Sequence, residues 1–195
     1  MSVSERLLLS RLQARDEEAF EEMVGLYQNK IYNLVYRMMG NAGEAEEVAQ
    51  EVFVTVFKSI DSFRGDSKLS TWLYRIATNH CKNRLKYLGR RSYKATGELD
   101  EAVERELQDT QTTSSMRPHI DGPEAVLEGL ELERTVQAGI AELDEEHRTL
   151  VLLRDVEDLS YDEIAKVTGL ELGTVKSRLH RARLQLKEFL ARWLK

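Results

Sequence analysis

Nine cations lie between residues 64 and 94 of this 195-residue chain: Arg64, Lys68, Arg75, Lys82, Arg84, Lys86, Arg90, Arg91 and Lys94. Asp66 is the one acid among them, and two asparagines, Asn79 and Asn83, are interleaved. Cations of this density neutralise a phosphate backbone, and an asparagine amide offers both a donor and an acceptor to the pairing edge of an unstacked base. The combination suits single-stranded or distorted DNA. Trp72 and Tyr74 fall in the same block, but on composition alone aromatics serve as core or rim more often than as base-stacking platforms.

A second basic block closes the chain, with Lys176, Arg178, Arg181, Arg183, Lys187, Arg192 and Lys195 against Glu188 alone. It follows Ser160-Tyr161-Asp162-Glu163, the pattern in which a serine oxygen caps a helix start and a glutamate three residues on reaches back. Ala165, Gly169 and Val175 then have the spacing of a close helix crossing, a left-handed turn and a residue that packs back into the pair. This predicts a helix-turn-helix. On the second helix Val175, Leu179, Ala182, Leu186, Leu190 and Trp193 form the apolar stripe. Lys176, Ser177, His180, Arg181 and Arg183 lie off it, near the end that enters a major groove in such folds. Glu171 is a weak cap for that helix.

The elements that carry these blocks are helical by periodicity. Residues 17–39 repeat Phe20, Val24, Tyr27, Ile31, Leu34 and Met38 on one stripe and stop at Gly40-Asn41. Residues 44–60 carry Val48, Val52, Phe53, Val56 and Ile60, and residues 70–88 carry Leu73, Ile76, Ala77, Cys81, Leu85 and Leu88. Phe63 to Ser67 reads as a loop in which Asp66 or Ser67 can cap the next helix. Three amphipathic helices can share one core. Residues 92–122 are polar and acidic and keep no apolar stripe, which predicts a linker. Gly122-Pro123 opens the next helix, and residues 144–155, 161–168 and 172–193 supply three more. The expected fold class is all-α: two small helical domains joined by a flexible linker, with boundaries at 1–92, 93–122 and 123–195.

The formal net charge of -6 hides this block structure, because acid is concentrated in residues 16–22, 44–51, 98–109 and 124–146. Two basic patches on an acidic chain imply two contacts with a polyanion and other contacts with a basic partner. Cys81 is the only cysteine, so no internal disulfide forms. Arg6 and Arg11 flank only Leu7-Leu8-Leu9, too short for a signal-peptide core, and no apolar run would span a bilayer. A cytoplasmic location is expected. His80 and Cys81 are adjacent and point to different sides of a helix, and His119 and His147 are isolated and expected to be solvated. No metal, cofactor or catalytic residue is expected. A DNA-binding regulator would explain the second block alone, and a nuclease would need converging carboxylates.

In order along the chain, Glu47-Val-Ala-Gln-Glu-Val-Phe53, Ser62-Phe-Arg-Gly-Asp-Ser67, Ser70-Thr-Trp-Leu-Tyr-Arg-Ile-Ala77 with Asn79, Lys82 and Asn83, Leu159-Ser-Tyr-Asp-Glu-Ile-Ala165 and Gly173-Thr-Val-Lys-Ser-Arg-Leu179 resemble the extracytoplasmic-function (ECF) sigma factors of bacterial RNA polymerase, the sigma-E-like branch above all. The resemblance implies a sigma-2 domain and a sigma-4 domain. It implies core polymerase as partner through the beta-prime coiled coil and the beta flap, with Glu47, Gln50 and Glu51 on the docking helix. It assigns Arg64, Lys68, Tyr74, Arg75, Asn79, Lys82 and Asn83 to reading and melting the -10 element. Thr174, Lys176, Ser177, Arg178, His180, Arg181 and Arg183 fall to the -35 element. It further implies promoter recognition for a stress-response regulon, an anti-sigma factor as partner, and no catalytic activity in the chain itself.

Overall fold

The computed structural model describes residues 3–95 and 123–193, with side chains over 3–91 and 132–193, and every regular element among these is helical. Helix α1 (Val3–Gln13) buries Leu8, Leu9 and Leu12. Helix α2 (Glu17–Met39) starts where the Asp16 carboxylate accepts the Ala19 N–H at 3.2 Å, and stops where Gly40 takes the left-handed conformation at φ 73°. Helix α3 (Ala42–Ser59) is capped by Asn41, which accepts the Glu44 N–H at 2.9 Å. A short 3-10 turn (Ile60–Ser62) leads into the loop before helix α4 (Leu69–Ala95). Met23, Ile31, Leu34 and Met38 of α2, Val48, Val52 and Val56 of α3, and Leu69, Leu73 and Ala77 of α4 form the N-terminal core.

Helix α1 is absent from the sequence reading, yet it locks this bundle. Gln13 Nε2 donates to the Phe63 carbonyl at 3.0 Å, and Arg15 bonds both the Phe57 carbonyl and the Asp61 carboxylate. Glu5 Oε1 accepts the Leu69 N–H at 2.6 Å, so α4 is capped by a residue 64 positions away rather than by Asp66 or Ser67. The cap is tertiary, which is why local pattern missed it.

The C-terminal half comprises α5 (Pro123–Glu142), α6 (Glu145–Val151), a π turn (Leu152–Val156), α7 (Tyr161–Thr168) and α8 (Leu172–Trp193). Ile140, Leu150, Leu153, Ile164, Val175 and Leu179 make its core. The predicted capping box is present: Glu163 N–H donates to Ser160 Oγ at 3.3 Å, and Ser160 N–H donates to Glu163 Oε2 at 2.9 Å. Gly169 closes α7 at φ 73°, its N–H bonded to the Ala165 carbonyl at 2.8 Å. A Cβ on Gly139 would stand 2.8 Å from both Leu186 and Phe189, so glycine sets how closely α5 approaches α8. Arg148 ties this half together. Its guanidinium donates to the carbonyls of Ile140 (3.2 Å), Ala141 (2.5 Å) and Leu143 (3.0 Å) at the end of α5, and to Met38 of α2 (2.7 Å).

Helix α4 runs from Leu69 through Ala95, and residues 96–122 of the expected linker lie outside the described residues. Three expectations are corrected. The single helix expected over 144–155 changes to π winding at Leu152. Trp193 is 66% exposed instead of buried, because the stripe outruns the core and Trp193 stacks only on Phe189, centroids 6.0 Å apart. His147 is not solvated: its Nδ1 lies 2.8 Å from Asp144 and 3.1 Å from Gln185. His119 lies outside the described residues.

The glycines give a stability test. Gly169→Ala forces a side chain into the left-handed region and is expected to cost about 1 kcal/mol. Gly25→Ala, in the exposed middle of α2 with nothing within 4 Å of the new Cβ, is expected to gain up to ~1 kcal/mol. Denaturant titration followed by helical circular dichroism should move the two midpoints in opposite directions.

Candidate nucleic-acid interface

Helix α4 presents three sides, as residues advance by about 100° per position. One side faces α3 and the core with Leu69, Leu73, Ala77, His80 and Arg84. A second buries Thr71, Tyr74, Thr78 and Cys81. The third is exposed: Arg75, Asn79, Asn83 and Lys86 are open to solvent with Lys82 half-exposed beside them, so spacings of three and four set cations and amides in one row. Arg75, Lys82 and Lys86 make no ion pair with any described residue. Arg64, on the loop before α4, is likewise exposed and unpaired among described residues.

Two members of the sequence-assigned set stand apart from this row. Tyr74 is only 3% exposed and donates its phenol O–H to Glu157 in the C-terminal half. Burial, with Glu157 second, pushes its pKa far above the phenol range. Lys68 pairs with Glu163 Oε1 at 2.8 Å. Trp72 is core, its ring stacked on Phe63 at 5.0 Å between centroids.

Helix α8 carries the second surface. Val175, Leu179 and Ala182 are buried, and Lys176, Ser177, His180, Arg181 and Arg183 are exposed on the other side. Thr174 and Arg178 are half-exposed. The arginines differ in freedom. Arg178 pairs with Glu146, and Arg183 forks onto Asp155, with Nε at 3.1 Å. Arg181 has no ion-pair partner among the described residues. Lys176 Nζ lies over the Tyr161 ring at 5.9 Å.

On α3 the expected docking residues Glu47, Gln50 and Glu51 share an exposed side. Glu44 and Glu47 both engage Arg84, and Glu51 Oε2 lies 3.3 Å from His80 Nδ1, so α4 holds this acidic side in place. The side continues into Val54 (51% exposed) and Phe57 (52% exposed). The sequence reading omitted both, although Val54 sits three and four residues on from Glu51 and Gln50, Phe57 one turn further, and both lie off the buried stripe.

Glu163, Glu157 and Cys81 also have displaced pKa values. Burial alone would raise the Glu163 carboxyl, but Lys68 and the Ser160 cap outweigh it and bring it down to about 2. Its contribution to stability is therefore complete above the ordinary value near 4.5 and is lost as pH falls toward 2. Burial raises Glu157, so as pH climbs above 4.5 the ionised form is disfavoured where it packs. Burial pushes the Cys81 thiol up to about 12, with Glu145 adding to the rise.

Two family models match the chain: Sigma-70 region 2 over residues 23–91, and Sigma-70, region 4 over residues 133–186. The ECF RNA polymerase sigma factor SigW of Bacillus subtilis is 37% identical over 183 residues, 92% of this chain and 93% of that protein. The sigma-H factor of Pseudomonas aeruginosa is 41% identical over 176 residues, 90% and 88% respectively. The ECF sigma-E factor of Escherichia coli is 38% identical over 181 residues, 93% and 91%.

The chain belongs to the ECF sigma factors of RNA polymerase.

Two solved structures share the fold at 22% identity. CnrH, in complex with the cytosolic domain of CnrY, has a TM-score of 0.67 over 96% of this chain and 97% of that one. The sigma factor RpoE of Bartonella quintana, in complex with the anti-sigma factor NepR, scores 0.66 over 88% and 96%. No described helix of this sigma factor is long and apolar enough to cross a membrane.

Arg181 and Arg183 give a paired test of the α8 surface. Arg181→Ala is expected to lower affinity for an upstream promoter duplex by about 1–3 kcal/mol if it reads a base, and to relax one position. Arg183→Ala loses a tie to Asp155 as well and is expected to lower the melting temperature. Fluorescence anisotropy with a set of duplexes, beside thermal melts, separates the effects. A second test uses Cys81. With its thiol buried and its pKa about 12, it should react with a thiol reagent at pH 8 far more slowly than in denaturant.

Proposed function

We propose that this ECF sigma factor docks core polymerase through the exposed side of α3, reads and melts the -10 element with α4 and the loop before it, and reads the -35 element with α8. The observation that carries the -10 assignment is the exposed row Arg75, Asn79, Lys82, Asn83 and Lys86 on α4, in which the cations have no competing ion pair among the described residues. Cations there position the strand, and the asparagines meet an extruded base with a donor and an acceptor on one short side chain. Arg64 extends the row onto the loop, and Lys68 and Tyr74 join it when their present partners release them. On α8, Thr174, Lys176, Ser177, Arg178, His180, Arg181 and Arg183 form the upstream contact set, with Arg181 the freest cation.

On α3, Glu47, Gln50 and Glu51 supply polar contacts for a basic partner such as the beta-prime coiled coil, and Val54 and Phe57 add apolar area at one end. The C-terminal domain meets the beta flap. An anti-sigma factor belongs to this reading, supported by the RpoE relative solved with one. The factor works in the cytoplasm beside polymerase, and its role is recognition and strand opening, with chemistry left to the polymerase. The domain limits proposed are 1–92, 93–122 and 123–195, with α4 reaching into the middle segment.

Run-off transcription with core polymerase over a promoter library tests the whole assignment, and absence of any sigma-dependent transcript would reject it. Charge reversal at Glu47 and Glu51 together is expected to weaken core binding at least tenfold with circular dichroism unchanged. Asn79→Ala is expected to leave core binding and upstream contact intact and to reduce open complexes. Permanganate reactivity of promoter thymines reads that step, and undiminished melting at low enzyme concentration would sink the base-capture role.

A further inference from the structure

Helix α1 holds both feet of the loop before α4. Gln13 Nε2 donates to the Phe63 carbonyl at 3.0 Å, where the loop leaves the core. Glu5 Oε1 accepts the Leu69 N–H at 2.6 Å, on the first residue of α4. Between these anchors lie Arg64, Gly65, Asp66, Ser67 and Lys68. The two anchoring side chains are eight residues apart, about 12 Å along the axis of α1. Leu8, Leu9 and Leu12 between them are buried, so the helix that carries the anchors cannot slide without repacking the core.

A third contact holds the approach to the loop. Arg15 bonds the Phe57 carbonyl and the Asp61 carboxylate, and its guanidinium stands 5.3 Å from the centre of the Phe57 ring. The backbone that delivers it is strained. The Asp16 N–H reaches the Arg11 carbonyl at 3.1 Å and the Arg15 N–H the Leu12 carbonyl at 3.0 Å, the paired bonds that close a helix through one left-handed residue. That residue is Arg15, at φ 63°. Glycine takes such a place without strain. An arginine kept there points to a use for its side chain.

The loop is shaped as well as anchored. Phe63 is buried with its ring on Trp72, and Gly65 turns the chain at φ 76°. A local cap on α4 would turn Asp66 or Ser67 back onto the helix. Glu5 makes the cap instead, and Arg64 and Asp66 stay exposed with Ser67 half-buried between them and α4. We propose that α1 is a clamp for base choice: Glu5, Gln13 and Arg15 are positioning residues that hold the loop at residues 64–68 in one shape before a -10 base. The clamp rests on the functional reading above, in which this loop meets the -10 element. Telling one base edge from another takes donors and acceptors held to within about 0.5 Å. A loosened loop still meets phosphate, which carries no sequence information, but discriminates less.

Run-off transcription with core polymerase, over a promoter carrying each base in turn at every -10 position, tests the clamp. The readout is the ratio of best to worst base. Gln13→Glu removes the donor at nearly constant size, and Glu5→Ala removes the cap. The double variant is expected to narrow the ratio by about tenfold, the scale of one lost base contact, with affinities for core and for a -35 duplex within about twofold of wild type. An unchanged ratio overturns the clamp. So does a loss of transcript equal for all bases, which is what a merely structural role gives. Glu5→Gln keeps an oxygen for the Leu69 N–H and is expected to retain the wild-type ratio; a ratio as narrow as that of Glu5→Ala overturns the part given to the cap. Arg15→Gly suits the left-handed backbone, is expected to narrow the ratio too, and carries the comparison if the double variant loses its circular dichroism. A wild-type chain that transcribes with no preference at any -10 position rejects the functional reading instead. Trypsin cleavage after Arg64, expected to quicken in the double variant, then judges alone whether α1 fixes the loop.

Discussion

Helix α4 has more surfaces to satisfy than any other element, and the arrangement of the chain follows from how they are met. One side completes the N-terminal core through Leu69, Leu73 and Ala77 and anchors the acidic side of α3 through Arg84 and His80. Another, with Tyr74, Thr78 and Cys81, is fully covered. The third is open and carries the cations and amides that we assign to the -10 element. A helix buried on two sides holds that open row in a fixed register, since its backbone cannot shift without repacking a core.

Electrostatics divides the cations into two kinds. Arg84, Arg178 and Arg183 are held by carboxylates of neighbouring elements and act as fasteners. Arg64, Arg75, Lys82, Lys86 and Arg181 have no ion-pair partner among the described residues. A net charge of -6 is therefore compatible with binding a polyanion, because the local field at each surface is set by the unpaired cations rather than by the sum.

Pattern and cap chemistry carried most of the fold into the sequence. The stripes of α2, α3 and α8, the box at Ser160 and Glu163, the turn at Gly169 and the start at Pro123 depend on residues within a few positions of one another, which is the range that local reading reaches. What escaped was tertiary. Glu5 caps α4 from 64 residues away, and α1, 11 residues long, is too short for its Leu8, Leu9 and Leu12 to stand out as a periodic stripe. The exposed Val54 and Phe57 look like core residues until the buried side of α3 is fixed by its neighbours. Of the candidate sites, the exposed row on α4 and the outer side of α8 were legible from spacing. That Tyr74 and Lys68 are engaged by Glu157 and Glu163 was not, since nothing local links residues more than eighty positions apart.

Arg148 shows how unevenly the two halves depend on each other. Three of its four hydrogen bonds stay within the C-terminal half, where they satisfy the last carbonyls of α5; only one crosses to α2. At Arg148, taking the halves apart would return only the Met38 carbonyl to water and leave the α5 end closed. The bonds that hold the end of α5 are thus internal to the C-terminal half and do not depend on its contact with α2.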